Sequence, residues 1–291
     1  MYDQVAALRE LPGIDVEVHE FAPGSAGAYL SAAATLRRRF RGSRFDVVHA
    51  HFGLTAWPAM AVRARAHAVT LHGTDLEHPR SRVLTLAALP WLDLVATASA
   101  PLAQRVPPWA TRRRPVSVLP CGVDLGRFRP IDRHLARARL GLDADRRHLL
   151  FPADPSRAEK RHDRAAELAG SVGAALLTLG AIDPERVPLY INAADAVVVT
   201  SDREGFGLAV IEALACDVPV LATPVGIAPE ALAGVRGTYC GPFERSRWRA
   251  ELSELLAAGD PQIAGRVVAE RYSATAMAQR VADAWRELLA A

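Results

Sequence analysis

Short apolar runs alternate with helix-length segments along almost the whole chain. "IDVEVHEF" (14–21), "DVVHAH" (46–51), "HAVTLHG" (67–73), "LDLVATAS" (92–99) and "PVSVLP" (115–120) read as strands. Helical stretches fall between them near 27–41, 54–65, 81–90 and 99–106, and "MYDQVAALRELPG" at the start reads as a helix closed by Gly13. The pattern breaks at 121–147, a stretch rich in Gly, Asp, Arg and Pro without strand character, and then resumes. "HLLFP" (148–152), "AALLTLG" (174–180), "DAVVVTS" (195–201), "VPVLAT" (218–223) and "GTYCG" (237–241) form the second set of strands. Strand–helix alternation specifies βαβ units and parallel sheets. Strands covered on both faces read as unbroken apolar runs, as "AVVVT" does.

The expected architecture is therefore α/β, with two Rossmann-like, doubly wound parallel-sheet domains facing a cleft. The first covers 1–120, a linker covers 121–147, the second covers 148–273, and a C-terminal helix over 274–291 is expected to cross back to the first domain. Ligands of such sheets bind beyond the carboxyl ends of the strands, and the cleft between two domains is the default site.

Composition narrows the class. Of 291 residues, 50% are hydrophobic and 23% are charged, a globular rather than a disordered balance. The three cysteines, Cys121, Cys216 and Cys240, are widely spaced and show no metal-ligand pattern, so they read as reduced thiols in a cytoplasmic protein. No apolar run approaches the roughly 20 residues of a membrane-spanning helix. The polar first ten residues do not read as a secretory leader. The net charge of +3 is mild but uneven, concentrated in "RRRFRGSR" (37–44) and "TRRRP" (111–115). The aromatics are few and are not interleaved with these charges, which argues against a nucleic-acid partner.

Chemistry gathers in "SDREGFGLAVIEALA" (201–215). Glu212 sits in an otherwise apolar helix, and its neighbours three and four positions away are Leu208, Ala209, Ala215 and Cys216. An unpaired buried carboxylate is costly, so Glu212 either borders a wet cleft or binds something that is not protein. Gly205 and Gly207 permit close approach of a ligand to the backbone. The amide groups at 207–209 open a helix N-terminus, a ready anion site. Side chains lean toward the start of their helix, so Glu212 leans to the same opening. A phosphate at the helix start and a ribose at Glu212 describe a nucleotide; the alternative is a carboxylate satisfied by a buried Ser, Thr or Arg. In "FPADPSRAEKRHD" (151–163), Arg157 and Lys160 follow a strand's carboxyl end and could clamp a diphosphate, unless the loop is simply solvated.

Taken together these segments resemble a known family. Glu204 and Glu212 enclose seven residues, as in the EX7E motif of the retaining GT-B glycosyltransferases of family 4. "LPCGVDLGRFRP" (119–130) resembles that family's interdomain signature, "PSRAEK" its Arg/Lys phosphate loop, "LHGTD" (71–75) its N-domain histidine segment, and "ALACDVPVLATPVGIAPE" the stretch that follows EX7E. The resemblance runs from about residue 2 to the end. It is most similar to the bacterial branch that builds teichuronic-acid-like cell-surface polysaccharides.

The resemblance implies a set of roles. Arg157 and Lys160 would hold the donor diphosphate, assisted by the backbone of Phe206, Gly207 and Leu208. Glu212 would bind the ribose hydroxyls and Glu204 would face the transferred sugar. His72 would approach that sugar from the N-domain, with Gly73 giving room and Asp75 nearby. No metal and no cofactor are expected; the donor is a nucleotide diphosphate sugar such as a UDP- or GDP-sugar. The acceptor would be a saccharide or a polyprenyl-linked sugar. Arg37, Arg38, Arg39 and Arg41 could touch an anionic membrane, placing the protein in the cytoplasm or peripherally on the inner face of the plasma membrane. A solvated basic face is the plain reading of the same arginines.

His49 and His51, at alternate positions of one strand, are read as pointing to opposite sides, so that they do not chelate one metal; His51 is a candidate to line the cleft. The family's domain also begins with a strand and a Gly-rich loop that this sequence does not contain before its first helix. The N-domain is therefore expected to lack its first strand, as a truncated, mis-assigned or degenerate copy. Two further readings stay open: a non-catalytic nucleotide-sugar-binding protein, and a nucleotide-sugar epimerase of the same fold.

Overall fold

The computed structural model describes residues 2–22, 24–112, 114–259 and 263–290. The chain divides into two compact units. One runs to Cys121 and takes in the chain from Met277 onward; the other covers Gly122–Ala276.

The first unit is built on a four-stranded sheet in sequential order, β1 (Phe45–His51), β2 (Ala64–Leu71), β3 (Leu94–Thr97) and β4 (Ser117–Val118). All pairings are parallel, with Val47 opposite Ala66 and Val69 opposite Val95. Ala56–Ala59 lies in the crossover from β1 to β2 and Pro79–Ala88 in that from β2 to β3, while Ala26–Arg39 precedes β1 and packs against Ala56–Ala59. Val69, Leu71, Leu76, Leu86, Leu89 and Leu92 form the heart of its core.

Two expectations are corrected here. "IDVEVHEF" (14–21) is not a strand, although its residues alternate between half-buried and exposed. A strand exists only through its ladder, and among the described residues β1 pairs on one side alone, with β2. Residues 14–21 have no such neighbour and run without regular structure, tied to the first helix by Arg9, which donates to the Val16 carbonyl at 3.1 Å. The helix expected over 54–65 ends at Ala59, and β2 begins at Ala64. "ARAHA" has little strand propensity of its own; pairing with β1 decides it.

In the second unit five parallel strands take the order β6-β5-β7-β8-β9. These are β5 (His148–Phe151), β6 (Ala175–Thr178), β7 (Ala196–Val199), β8 (Val220–Ala222) and β9 (Tyr239–Cys240). Leu149, Phe151, Val198, Leu221, Trp248 and Leu252 anchor its core. The helix Arg133–Leu140 stands in the stretch that precedes β5. It is capped by Asp132, whose carboxylate accepts the Leu135 N–H at 2.8 Å. Asp195, just before β7, accepts from Arg133 and Arg137 at 2.8 Å each and from the His148 amide at 2.7 Å.

The strand order reverses direction between β5 and β7. That is the topological switch point, where a parallel sheet leaves a crevice at the carboxyl ends of its strands. Among the described residues no helix is long and apolar enough to cross a membrane. The three cysteines are free thiols; burial pushes Cys216 up to about 12 and Cys121 up to about 11, which makes both poor nucleophiles.

Candidate active site

A cavity of about 260 Å³ opens at the switch point. Phe151, Pro152 and Ala153 line it from the end of β5, Val199 and Ser201 from the end of β7. Lys160, Glu204, Gly207, Leu208, Ala209 and Glu212 complete the wall. Gly207, at φ +92°, turns the chain into the helix Leu208–Ala215, whose first turn faces the cavity.

Glu212 is half-buried in this wall, so its place in an apolar helix is explained by the cavity rather than by the core. Lys160 reaches across to Glu204. Its Nζ donates to Oε1 at 2.6 Å and to Oε2 at 2.7 Å, while Ser201 Oγ also donates to Oε1 at 2.7 Å. Both charged side chains are mostly covered, at 14% and 13% exposure. Arg157 stands apart from the cavity wall. It is 54% exposed, and its guanidinium holds Glu159 at 2.7 Å. Of the two cations read as a clamp, the structure places only Lys160 on the cavity. Phe206 is buried, and its carbonyl accepts the Ile227 N–H at 2.7 Å.

Several residues that fix this geometry escaped the sequence reading. Thr200 is fully buried, and its Oγ1 donates to the carbonyls of Lys160 at 3.1 Å and Arg161 at 2.9 Å. It staples the Lys160 loop to the end of β7. The Asp202 amide adds a bond to the Glu159 carbonyl at 2.9 Å, and Arg164 pairs with Asp202 at 2.8 Å. Thr223 Oγ1 donates to the Ser201 carbonyl at 2.5 Å. Gly226, at φ +56°, lies against the 204–206 turn so closely that an added Cβ would stand 2.2 Å from the Phe206 oxygen. The signal for Thr200 and Ser201 was present as two polar residues closing an apolar strand.

The first unit holds a separate cluster at the carboxyl end of β1 and β2. His51 Nδ1 and His72 Nε2 lie 3.1 Å apart, and the His49 and His51 rings stack at 5.0 Å. This corrects the reading that His49 and His51 face opposite sides: residues two apart on a strand share a face. Trp285 Nε1 donates to His49 Nδ1 at 2.9 Å. That assigns the His49 proton to Nε2, which donates to Thr70 Oγ1 at 2.8 Å. Asp75, read as a cleft-lining candidate, is instead fully buried. Its carboxylate accepts the amides of His72 at 3.0 Å, Gly73 at 2.8 Å and Gly53 at 3.3 Å. Three backbone donors converge on it, so Asp75 shapes the loop that presents His72. Gly73 is buried in that loop. Among the described residues no group of three or more His, Cys, Asp and Glu is placed to hold a metal ion.

Burial holds all three histidines below their ordinary value, His49 down to about 4, with the neighbouring His72 adding to its shift. A depressed folded value means that the unfolded chain takes up protons that the folded one refuses. The stability this gives is complete above pH 6.5 and is lost as pH falls toward 4. From His49 alone the first unit is expected to lose about 2 kcal/mol between pH 7 and pH 5. Denaturant titrations at the two pH values measure it, and His49→Gln should flatten the slope.

A cavity at the switch point of a parallel sheet, with a cation, a helix N-terminus and two carboxylates on its wall, has the chemistry to receive a phosphorylated, hydroxyl-bearing ligand. Comparison with known proteins agrees in class. Residues 5–127 match the family described as Glycosyltransferase Family 4, and residues 156–283 match Glycosyl transferases group 1. The chain is 30% identical over 291 residues to the D-inositol 3-phosphate glycosyltransferase of Actinosynnema mirum, covering 81% of this chain and 70% of that protein. It is 31% identical over 265 residues to the protein of the same name from Segniliparus rotundus, covering 74% of this chain but only 59% of that relative's length. The crystal structure of Anabaena HepE in complex with UDP-glucose superposes with a TM-score of 0.70 at 18% identity, over 89% of this chain and 82% of that one.

The chain belongs to glycosyltransferase family 4, and its two parallel-sheet units have the GT-B fold.

Proposed function

We propose that the protein transfers a sugar from a nucleoside diphosphate sugar to a hydroxyl-bearing acceptor, with retention at the anomeric carbon. The observation that carries this reading is the placement of Lys160, Glu204 and Glu212 around one cavity at the start of the helix Leu208–Ala215. Support comes from the relatives, which are named as glycosyltransferases, and from HepE, whose structure holds UDP-glucose.

Each wall residue has work that its chemistry suits. Lys160 and the helix N-terminus meet the diphosphate, whose negative charge grows as the glycosidic bond breaks. Glu212 accepts hydrogen bonds from the vicinal hydroxyls of the ribose. Glu204, released from Lys160 when the diphosphate takes that cation, accepts from hydroxyls of the transferred sugar. Arg157 joins the diphosphate once it leaves Glu159. Charge stabilisation in this scheme needs no metal. The role of His72 at the sugar, and of His51 bonded to it, is carried by the family resemblance.

The acceptor is a saccharide or a similar polyol. A lipid-linked form of it, and a contact with anionic membrane through Arg37, Arg38, Arg39 and Arg41, remain part of the proposal; all four arginines are exposed.

The test is a thermal-shift screen of UDP, GDP, ADP and their sugars, followed by assay of nucleoside diphosphate release with added acceptors. A ligand at 100 times its Kd adds about 2.7 kcal/mol of stability. Glu212→Gln should weaken nucleotide binding with the unliganded melting temperature unchanged. A drop in unliganded stability with nucleotide affinity intact would remove the ribose role. Binding without release, across donors and acceptors, would leave a binding protein in place of a transferase.

A further inference from the structure

The first unit carries an apolar face turned outward. The helix Pro79–Ala88 runs directly into the turn Leu89–Trp91. Its buried side is made by Thr85, Leu86, Ala88 and Leu89. Its outward positions are Arg80, Val83, Leu84, Ala87 and Trp91, at the three- and four-residue spacing of a single helix face. Val83 is 68% exposed, Leu84 50% and Trp91 66%.

Two more tryptophans extend this stripe at its ends. Trp57, 41% exposed, donates its Nε1 proton to the Leu84 carbonyl at 3.1 Å. Trp109, 65% exposed, lies on the turn Pro108–Thr111, which packs against Leu89–Trp91. Three of the chain's five tryptophans thus stand in water along one strip. Solitary exposed apolar residues need no explanation, but a continuous strip of them marks an interaction surface.

The charges around the strip are predominantly basic. Arg80 and Arg82 rise from the helix, and the Arg112 guanidinium lies 5.6 Å from the centre of the Trp91 ring. Arg114 is held at the same end by the carbonyls of Pro90 and Asp93, at 3.5 Å each. The neighbouring carboxylates are engaged: Glu77 by Arg105, and Asp93 by the His67 amide at 2.8 Å. The helix Ala26–Arg39, which ends in Arg37, Arg38 and Arg39, packs against Ala56–Ala59, the short helix that carries Trp57. Ala56–Ala59 packs in turn against Pro79–Ala88, so the basic run and the aromatic strip belong to one layer of packed helices.

We propose that this layer docks on an anionic lipid surface. Trp57, Trp91 and Trp109, with Val83 and Leu84, enter the boundary between headgroups and acyl chains. Arg80, Arg82, Arg112 and Arg114 meet the lipid phosphates. Tryptophan with an apolar body and a polar edge, ringed by arginine, is the composition that suits that boundary. A second copy of the chain fits poorly, because a two-fold contact on this strip would set arginine against arginine. The proposal is independent of the transfer reaction, since vesicle binding requires no donor.

The experiment is co-sedimentation of the full chain with vesicles of phosphatidylcholine, alone or mixed with phosphatidylglycerol, with tryptophan emission followed in parallel. Binding to the mixed vesicles is expected, with a blue shift, strong weakening by salt and no binding to phosphatidylcholine alone. Trp91→Ser with Trp109→Ser should weaken binding at least tenfold and remove most of the shift. Each of Arg80→Ser and Arg112→Ser should weaken it about fivefold. These positions are exposed, so the variants should keep the wild-type melting temperature. Equal binding to both vesicle types would overturn the proposal. So would binding lost with Arg37→Ser, Arg38→Ser and Arg39→Ser but untouched by the tryptophan changes. A concentration-dependent dimer abolished by Trp91→Ser would assign the strip to a second copy instead.

Discussion

Replacing Lys160 by alanine should lower affinity for a nucleoside diphosphate roughly 10- to 150-fold, the loss of one charge-assisted hydrogen bond. Affinity for the free nucleoside should hardly change. Transfer should fall further than donor binding, because the charge that Lys160 meets grows as the leaving group departs. Glu204→Gln should act in the opposite direction on the diphosphate. The Glu204 carboxylate holds the Lys160 ammonium through both oxygens, at 2.6 and 2.7 Å. Any anion entering the cavity must compete with it. An amide at 204 keeps a hydrogen-bond partner for Ser201 but releases the cation, so diphosphate affinity should hold or rise while transfer collapses. Isothermal titration of UDP and uridine against the two variants separates these effects. If both variants lose diphosphate affinity to the same extent, Lys160 is not the phosphate cation.

This Lys–Glu pair also marks where reading from the sequence stops. The partners are 44 residues apart, on the loop after β5 and the turn after β7, and no local period connects them. What could be read was the part that local pattern determines. "AVVV" is apolar throughout because β7 is covered on both faces, and the Gly-Phe-Gly turn that follows it announces the helix start on the cavity. Glu212 stands out because it is the one charged residue in an otherwise apolar helix.

Pairing that a pattern of residue types does not display accounts for the rest. The segment 14–21 has strand composition but no ladder. Arg157 is read with Lys160 as one clamp, and in the structure its guanidinium pairs with the glutamate two residues on. Asp75 looked like site chemistry beside a histidine and a glycine, but its short side chain folds back onto three backbone amides. The partner of His49, Trp285, lies 236 residues away on the last helix. His49 and His51 were the one misreading that needed no structure to avoid, since strand period alone puts them on the same face.

Gly226→Ala should disable the cavity without replacing any residue that lines it. Two costs add at this position. The backbone stands at φ +56°, a left-handed conformation that costs a residue with a Cβ about 1–3 kcal/mol. The new methyl group would also meet the Phe206 carbonyl oxygen at 2.2 Å and its carbon at 2.8 Å, with Glu204 Cβ at 3.0 Å. These atoms are mostly backbone, so no rotamer change relieves the contact, and the overpacking adds about 1–3 kcal/mol. Relief can come only by pushing away the turn that holds Glu204 and opens the helix Leu208–Ala215. That motion would break the bond from the Ile227 amide to the Phe206 oxygen and displace both the helix start and the partner of Lys160. Gly234→Ala serves as the control: its φ is +75°, but an added Cβ meets nothing within 4 Å. It should show the conformational cost alone and keep nucleotide binding. The expected result is a second unit destabilised by about 2–6 kcal/mol in Gly226→Ala, with nucleotide binding lost, against about 1–3 kcal/mol and intact binding in Gly234→Ala. Chemical denaturation and a thermal shift with UDP and GDP measure both quantities. Equal behaviour of the two variants would show that the 204–206 turn does not depend on contact with Gly226.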